Sequence, residues 1–415
     1  MIYLDNNATT RPCKAAVDAV RDALEEQWAN PSSVHREGQN ARNTVEIARR
    51  DVAALLGLKP SEITFTSGAT ESIWTAHRGA LLALPEQRRT VISSLVEHEA
   101  VRDSLQHLSG PDGVPGAKLI NLNPKEGGLI DPGELKHQLE EHRGAVGLVS
   151  IQWANNETGA IQPVREIGAL ARQHNALFHC DATQWVGKYP TAILRPTMTG
   201  DIDLNDQRPW IDLVSCSAHK FHGPKGIGAL AVRRGVGIRP AVTGSQEKGR
   251  RGGTEAVPLI AGMGAAAREA SAWLDGAPLD QQPPAAVPVA KRRDRLTQSL
   301  IENLGAIPNQ PADPTKRLWN TANLGFKGLE AEALLLLMSE RGLAASAGAA
   351  CSSGSLDPSP VLLAMGVPEP VAHGSIRLSL SRNTTDQEID QAIEIITAAV
   401  NRLRQSANAT GPATH

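Results

Sequence analysis

Short apolar runs that alternate with helical stretches constrain this chain more than any other feature. They fall at residues 62–65, 90–93, 145–151, 177–180, 211–215 and 228–232. Runs of that length are strands, and strands separated by helices build parallel βαβ units, because a parallel partner is reached only by a crossover. A doubly wound α/β sheet is therefore expected. Ligands of such sheets gather beyond the carboxyl ends of the strands, so the polar residues that follow each run are where chemistry is sought.

Ahead of the first run, apolar residues recur at helical spacing from Ala15 to about Leu56, interrupted by Asn30-Pro31-Ser32-Ser33. This reads as two helices around a loop. Residues 195–210 and the proline-rich 277–288 read as surface insertions, the second marking a change of subdomain. Beyond it, residues 291–304 and 329–341 read as helices, 375–380 as a strand and 386–404 as a long final helix, a smaller α+β unit. The small polar residues 405–415 are expected to be disordered.

Composition removes several classes. The 42 Lys and Arg nearly balance 44 Asp and Glu, so no basic field draws the chain to nucleic acid or anionic lipid. The longest apolar run is six residues, Ala333 to Met338, against the roughly 18 that a membrane span needs. The first residues show neither a basic nor an apolar leader region, so a cytoplasmic location is expected. Four scattered cysteines without a C-x-x-C pair suggest neither a disulfide framework nor a metal site.

Candidate chemistry sits after the strands. Lys220, in Ser217-Ala218-His219-Lys220 ahead of the turn Gly223-Pro224-Lys225-Gly226, reads either as an ordinary surface lysine, as most single lysines are, or as a Schiff-base lysine for pyridoxal phosphate. That cofactor needs an acid on its pyridine nitrogen. Asp181 in His179-Cys180-Asp181-Ala182-Thr183-Gln184 is the candidate, although an isolated Asp there would more often be a helix cap. Thr66-Ser67-Gly68-Ala69-Thr70-Glu71 offers hydroxyls and a helix start to a phosphate. His98 could stack on the ring or simply cap a helix. Cys351 lies in an Ala/Gly/Ser-rich segment, where a thiol would stay accessible instead of packing as a small hydrophobe.

These motifs, together with Tyr3-Leu4-Asp5-Asn6-Asn7-Ala8-Thr9-Thr10, Asn30-Pro31-Ser32-Ser33-Val34-His35, Asn155-Asn156-Glu157-Thr158-Gly159, Arg251-Gly252-Gly253-Thr254, Cys351-Ser352-Ser353-Gly354-Ser355-Leu356-Asp357-Pro358-Ser359 and Ile376-Arg377-Leu378-Ser379, closely resemble the pyridoxal-phosphate cysteine desulfurases of the class V aminotransferase group. The resemblance implies fold type I of the pyridoxal-phosphate transferases. Residues 15–262 would be the large cofactor-binding domain, and residues 1–14 with 263–415 a small domain carrying the cysteine loop at about 342–356.

It also implies roles. Lys220 would link the cofactor, Asp181 pair with the pyridine nitrogen, and His98 stack on the ring and shuttle protons. Asn156 and Gln184 would bond the phenolic oxygen, while Ala69, Thr70, Ser217, His219 and Thr254 from a second subunit would hold the phosphate, so a homodimer is implied. Asn7, Asn156 and Arg377 would bind the substrate, L-cysteine, and Cys351 would take its sulfur for a sulfur-acceptor protein such as an iron-sulfur scaffold, the long cysteine loop being of the type that serves scaffolds. No metal, membrane or direct nucleic-acid contact is implied. Trp74, where relatives often carry asparagine, and the long 195–210 segment depart from the pattern without removing a catalytic group. Cys180 and Cys216 read as buried filler. Selenocysteine lyase, another class V enzyme and a catalytically silent scaffold are the alternatives.

Overall fold

Alternate residues of the apolar runs face two different hydrophobic cores, which is why the runs lack a polar side. The structure, a computed structural model, describes residues 1–191, 210–278, 281–347 and 357–409. Strand β1 (Ile2–Tyr3) leads into helices α1 (Lys14–Glu26) and α2 (Arg36–Leu55). Next come β2 (Ile63–Thr66), α3 (Ala69–Ala83), β3 (Thr90–Ser94), α4 (Glu99–Leu108), β4 (Lys118–Leu122) and α5 (Pro132–Glu141). They are followed by β5 (Val146–Ser150), α6 (Val164–Gln173), β6 (Leu177–Asp181), β7 (Leu213–Ser217) and β8 (Gly228–Val232).

The last seven of these strands form one sheet in the order β2-β8-β7-β6-β5-β3-β4, in which only β8 runs against its neighbours. Ten residues separate β7 from β8, too few for a helical crossover, so β8 returns antiparallel. Along β3, β5 and β7, Val91, Leu148 and Leu213 enter the core beneath α3 and α4, whereas their successors Ile92, Val149 and Val214 enter the larger core on the opposite face. The period of two thus buries both faces.

Helix α7 (Val257–Trp273) packs on α1 and α2, and a side chain on Gly264 would strike Ala48. This helix crosses the 262/263 boundary expected from sequence, which therefore falls inside an element packed on the large unit. The remaining elements are α8 (Val287–Leu304), β9 (Ile307–Pro308), β10 (Thr321–Gly325), α9 (Ala331–Glu340), β11 (Leu343–Ala344), the short helices α10 (Pro360–Ala364) and α11 (Glu369–Ala372), β12 (Ser375–Ser379) and α12 (Asp386–Ala409). Strands β12, β10 and β9 form an antiparallel sheet, and β1 pairs in parallel with β11, so the N-terminal strand joins the late elements.

Three expectations change. Strand β7 is shifted two residues toward Lys220 and ends at Ser217, and β6 includes Asp181. Helix α12 continues to Ala409, so residues 405–409 are helical and not a disordered tail. Most of the 195–210 segment and residues 410–415 lie outside the described residues. Within 277–288, residues 284–286 form a helical turn that leads into α8.

Candidate active site

Lys220 closes a single helical turn, Ala218–Lys220, directly after β7. Its Nζ donates to the carbonyls of Asn7, at 2.6 Å, and Ala8, at 2.9 Å. Asn7 is the node of a buried polar net. Its carbonyl also accepts from Gln184 Nε2 (2.9 Å), its Nδ2 donates to Thr321 Oγ1 (2.9 Å) and the Asn156 carbonyl (3.1 Å), and its Oδ1 accepts from Lys188 Nζ (3.0 Å).

Lys188, which sequence reasoning missed, also donates to Gln184 Oε1 at 2.6 Å. This bond turns the amide nitrogen of Gln184 the other way. Burial pushes the Lys188 ammonium well below the usual lysine range, with Lys220 and Arg377 adding to the push. No local pattern marks it, because Asn7 and Trp319, which meet it, come from distant segments.

Asp181 ends β6, and three donors meet its Oδ1: the Thr183 amide at 3.0 Å, the Thr183 hydroxyl at 2.5 Å and the Ser215 hydroxyl at 3.3 Å. None of these three bonds involves its Oδ2. His98 caps α4, accepting from the Ala100 amide at Nδ1, so the proton of the neutral ring sits on Nε2. The capping reading of this histidine holds, and Asp181 and Lys220 lie within electrostatic reach of the ring. Burial lowers its pKa, Asp181 pulls it up and Lys220 pulls it down. Next to it, Glu97 is buried and pushed up to about 8, against hydrogen bonds from the Ser94 hydroxyl and the Gln152 amide.

Helix α3 begins at Gly68 without a capping side chain, so its first amides are available to an anion. A Cβ on Gly228 would collide with the Gly68 backbone at 2.6 Å, and glycine there allows β8 to press against this helix start. Ser217 Oγ lies beside Gly68, and Ala69 and Thr70 form the first turn, with Thr70 exposed. His219 Nδ1 meets Thr9 Oγ1 at 3.2 Å, and burial, with Lys220 and Lys225 beside it, lowers the ring to about 4, so it is neutral. Arg251 pairs with Glu71 of α3 at 2.9 Å, while Thr254 is exposed and joins none of the other candidates among the described residues.

Arg377 comes from β12. Its guanidinium donates to Asp5 Oδ1 at 2.7 Å and to the Asn156 carbonyl at 3.1 Å. Arg377 Nε and Asn156 Oδ1 are buried without partners among the described residues, an arrangement proteins avoid unless something else completes it. The Arg377 backbone exchanges two hydrogen bonds with Ser346, and Ser359 donates to the buried Glu157 carboxylate at 2.6 Å. Residues 348–356, Cys351 included, lie outside the described residues, but both flanks are tied to the turn that carries Asn156. Cys180 and Cys216 are buried, and burial raises both thiols, Cys216 to about 12, so neither is a nucleophile.

The donor set suits a flat, anionic aldehyde cofactor: an amine, an acid that Thr183 and Ser215 hold through one oxygen, an uncapped helix start and, among the described residues, a guanidinium nitrogen without a partner. The family model for class V aminotransferases matches residues 2–392. A protein named cysteine desulfurase from Nostoc sp. is 44% identical over 407 residues, spanning 97% of this chain and 94% of that one. A solved structure named as a NifS-like protein superposes with a TM-score of 0.83 at 35% identity, covering 97% of this chain and all of the other. Another, described as SspA in complex with cysteine, gives a TM-score of 0.74 at 32% identity over 93% of this chain. This chain belongs to the class V aminotransferase family and, within it, to the cysteine desulfurases.

Proposed function

We propose that this cysteine desulfurase works with pyridoxal phosphate on Lys220, releases L-alanine from L-cysteine and holds the sulfur as a persulfide on Cys351. The observation that carries the reading is Asp181: its bonds from Thr183 and Ser215 all meet Oδ1, so none of them takes the Oδ2 that a protonated ring nitrogen would use, one strand away from a lysine at the end of β7. Pyridoxal phosphate, when bound, supplies a ring that withdraws electrons from the carbon attached to the substrate nitrogen.

The chain's residues do the rest. Uncapped amides of α3, with Thr70, Ser217 and His219, hold the phosphate, and the Gln184 amide, fixed by Lys188, presents its nitrogen to the phenolic oxygen. Arg377, with Asn7 and Asn156, clamps the substrate carboxylate, for which a planar donor already held by Asp5 is preorganised. The Lys220 amine takes the proton from the substrate α-carbon, and His98 carries a proton on its Nε2 side. The Cys351 thiolate forms an S–S bond to the substrate sulfur as the carbon–sulfur bond breaks, and the electron pair of that bond ends, once protonated, in the methyl group of alanine. Cys351 comes five residues after Ser346, a tether of at most about 18 Å.

Thr254 belongs, in this reading, to the phosphate site of a second copy, which makes a homodimer the working unit. A sulfur-acceptor protein, such as an iron-sulfur scaffold in the cytoplasm, docks beside the Ser346 and Ser359 anchors. The purified protein with pyridoxal phosphate is expected to be yellow and to release alanine and, with a thiol reductant, sulfide. Cys351→Ala should keep the colour and lose sulfide release; release at the parent rate would remove Cys351 from the mechanism.

A further inference from the structure

The geometry points to His77 and His179 as positioning residues that set the state of Asp181 through a buried line of hydrogen bonds, every one of which donates toward its carboxylate. This inference rests on the reading of Asp181 as the partner of the cofactor's ring nitrogen.

The line starts on α4, 77 residues before Asp181 in sequence. Ser104 Oγ lies 3.0 Å from His77 Nδ1, and His77 Nε2 lies 3.2 Å from His179 Nδ1, with Ser150 Oγ 2.9 Å from both of those nitrogens. His179 Nε2 lies 3.2 Å from Ser215 Oγ, which donates to Asp181 Oδ1 at 3.3 Å. The two rings stand edge to face with centroids 4.7 Å apart, and both are fully buried. Burial holds His77 well below the usual imidazole range and His179 at about 4, so both are neutral and each carries one proton.

One end of the line fixes every proton on it. An ionised carboxylate only accepts, so the Ser215 hydroxyl proton must point at Asp181. The Ser215 oxygen then accepts, which places the His179 proton on Nε2 and leaves Nδ1 as an acceptor. Nδ1 accepts from His77 Nε2–H, with Ser150 bridging the pair. His77 Nδ1 accepts in turn from the Ser104 hydroxyl. Each bond polarises the next, and the sum favours negative charge at the Asp181 end. A carboxylate so stabilised surrenders its shared proton to the partner nitrogen, the state in which the ring withdraws electrons best. Packing alone gives no reason to bury two imidazoles, since an aliphatic side chain would fill the same space without polar groups to satisfy.

The test loads the full-length protein with pyridoxal phosphate carrying nitrogen-15 in the ring and reads the ring-nitrogen NMR shift, together with kcat and KM for cysteine. In the parent the nitrogen should be protonated. In His77→Ile the signal should move toward the unprotonated position and kcat should fall about tenfold, the factor carried by one pKa unit at the shared proton, with KM unchanged. Ser104→Ala, which removes one hydroxyl at the far end and leaves the fold intact, should shift the signal less in the same direction. His77→Gln, with a donor nitrogen and an acceptor oxygen, should restore most of it. An unmoved signal in both Ser104→Ala and His77→Ile, with cofactor bound, overturns the inference while leaving the reading of Asp181 in place. An unprotonated nitrogen in the parent, or no binding by the parent, overturns both.

Discussion

Two buried groups of charge face opposite tasks. In the first, Arg49 of α2 makes two parallel bonds of 2.8 Å to Glu247, with further bonds to the Ile63 carbonyl and Glu46, and lies over the Phe65 ring. Glu247 also accepts from the Phe65 amide and is held in the left-handed region at φ 48°. In this group each charge meets its opposite within the protein. The second group gathers Lys188, Lys220 and Arg377 around Asn7 and Asn156, where Asp5 pairs with Arg377. Here Arg377 Nε and Asn156 Oδ1 remain unmatched among the described residues. A closed group ties α2 to β2 and to the 247 turn, whereas an open group waits for a ligand and is maintained at the expense of stability.

Substitutions can break this contrast, and the largest effect belongs to the open group. Lys220→Ala should abolish turnover and leave no covalently attached cofactor after borohydride reduction, although the fold persists; a reduced adduct on any other lysine would remove Lys220 from its role. Arg49→Met should do the reverse. It strands a buried carboxylate and should cost about 3–5 kcal/mol in denaturant unfolding, while the molecules that remain folded bind cofactor as the parent does. A loss of cofactor affinity without a loss of stability would show that the closed group is not scaffold.

Lys188→Met sharpens the comparison further. Turnover should fall about tenfold, because the Gln184 amide loses its orientation, yet stability should hold or rise. The lowered folded pKa of Lys188 means that the unfolded chain binds more protons from that value up to about 10.4, so the parent should gain stability relative to the variant as pH rises through this window. A parent that loses ground over that range would contradict the buried ammonium.

Glu97 should show as a gradual change of stability with pH. Its folded pKa of about 8 lies above its unfolded one, so the folded state binds the extra proton and the parent should lose about 1 kcal/mol per pH unit between roughly 5 and 8. Glu97→Gln should remove that slope, and parallel stability curves for the two proteins would refute the shift.

Sequence made the sheet legible because strands buried on both faces write continuous apolar runs. It hid β4, whose edge position leaves Lys118 and Asn121 exposed, and β10, whose buried Thr321 and Asn323 look like loop residues until Asn7 and Asn309 meet them. Lys220 and Asp181 could be found from their places at strand ends. Asn7 and Arg377 were visible only by family resemblance, since one sits near the first strand, the other on β12, and folding alone brings both to the Asn156 carbonyl. Lys188 and His77 carry no local mark. Their burial comes from distant segments, as with His77 and the partner imidazole 102 residues further along.

The most direct test gives the cofactor-loaded protein one equivalent of cysteine labelled with a heavy sulfur isotope, then maps the label by peptide mass. We expect one labelled sulfur on the peptide that contains Cys351 and an equal amount of alanine. Label on Cys13, Cys180 or Cys216, or alanine formed with no sulfur left on the protein, would contradict the account.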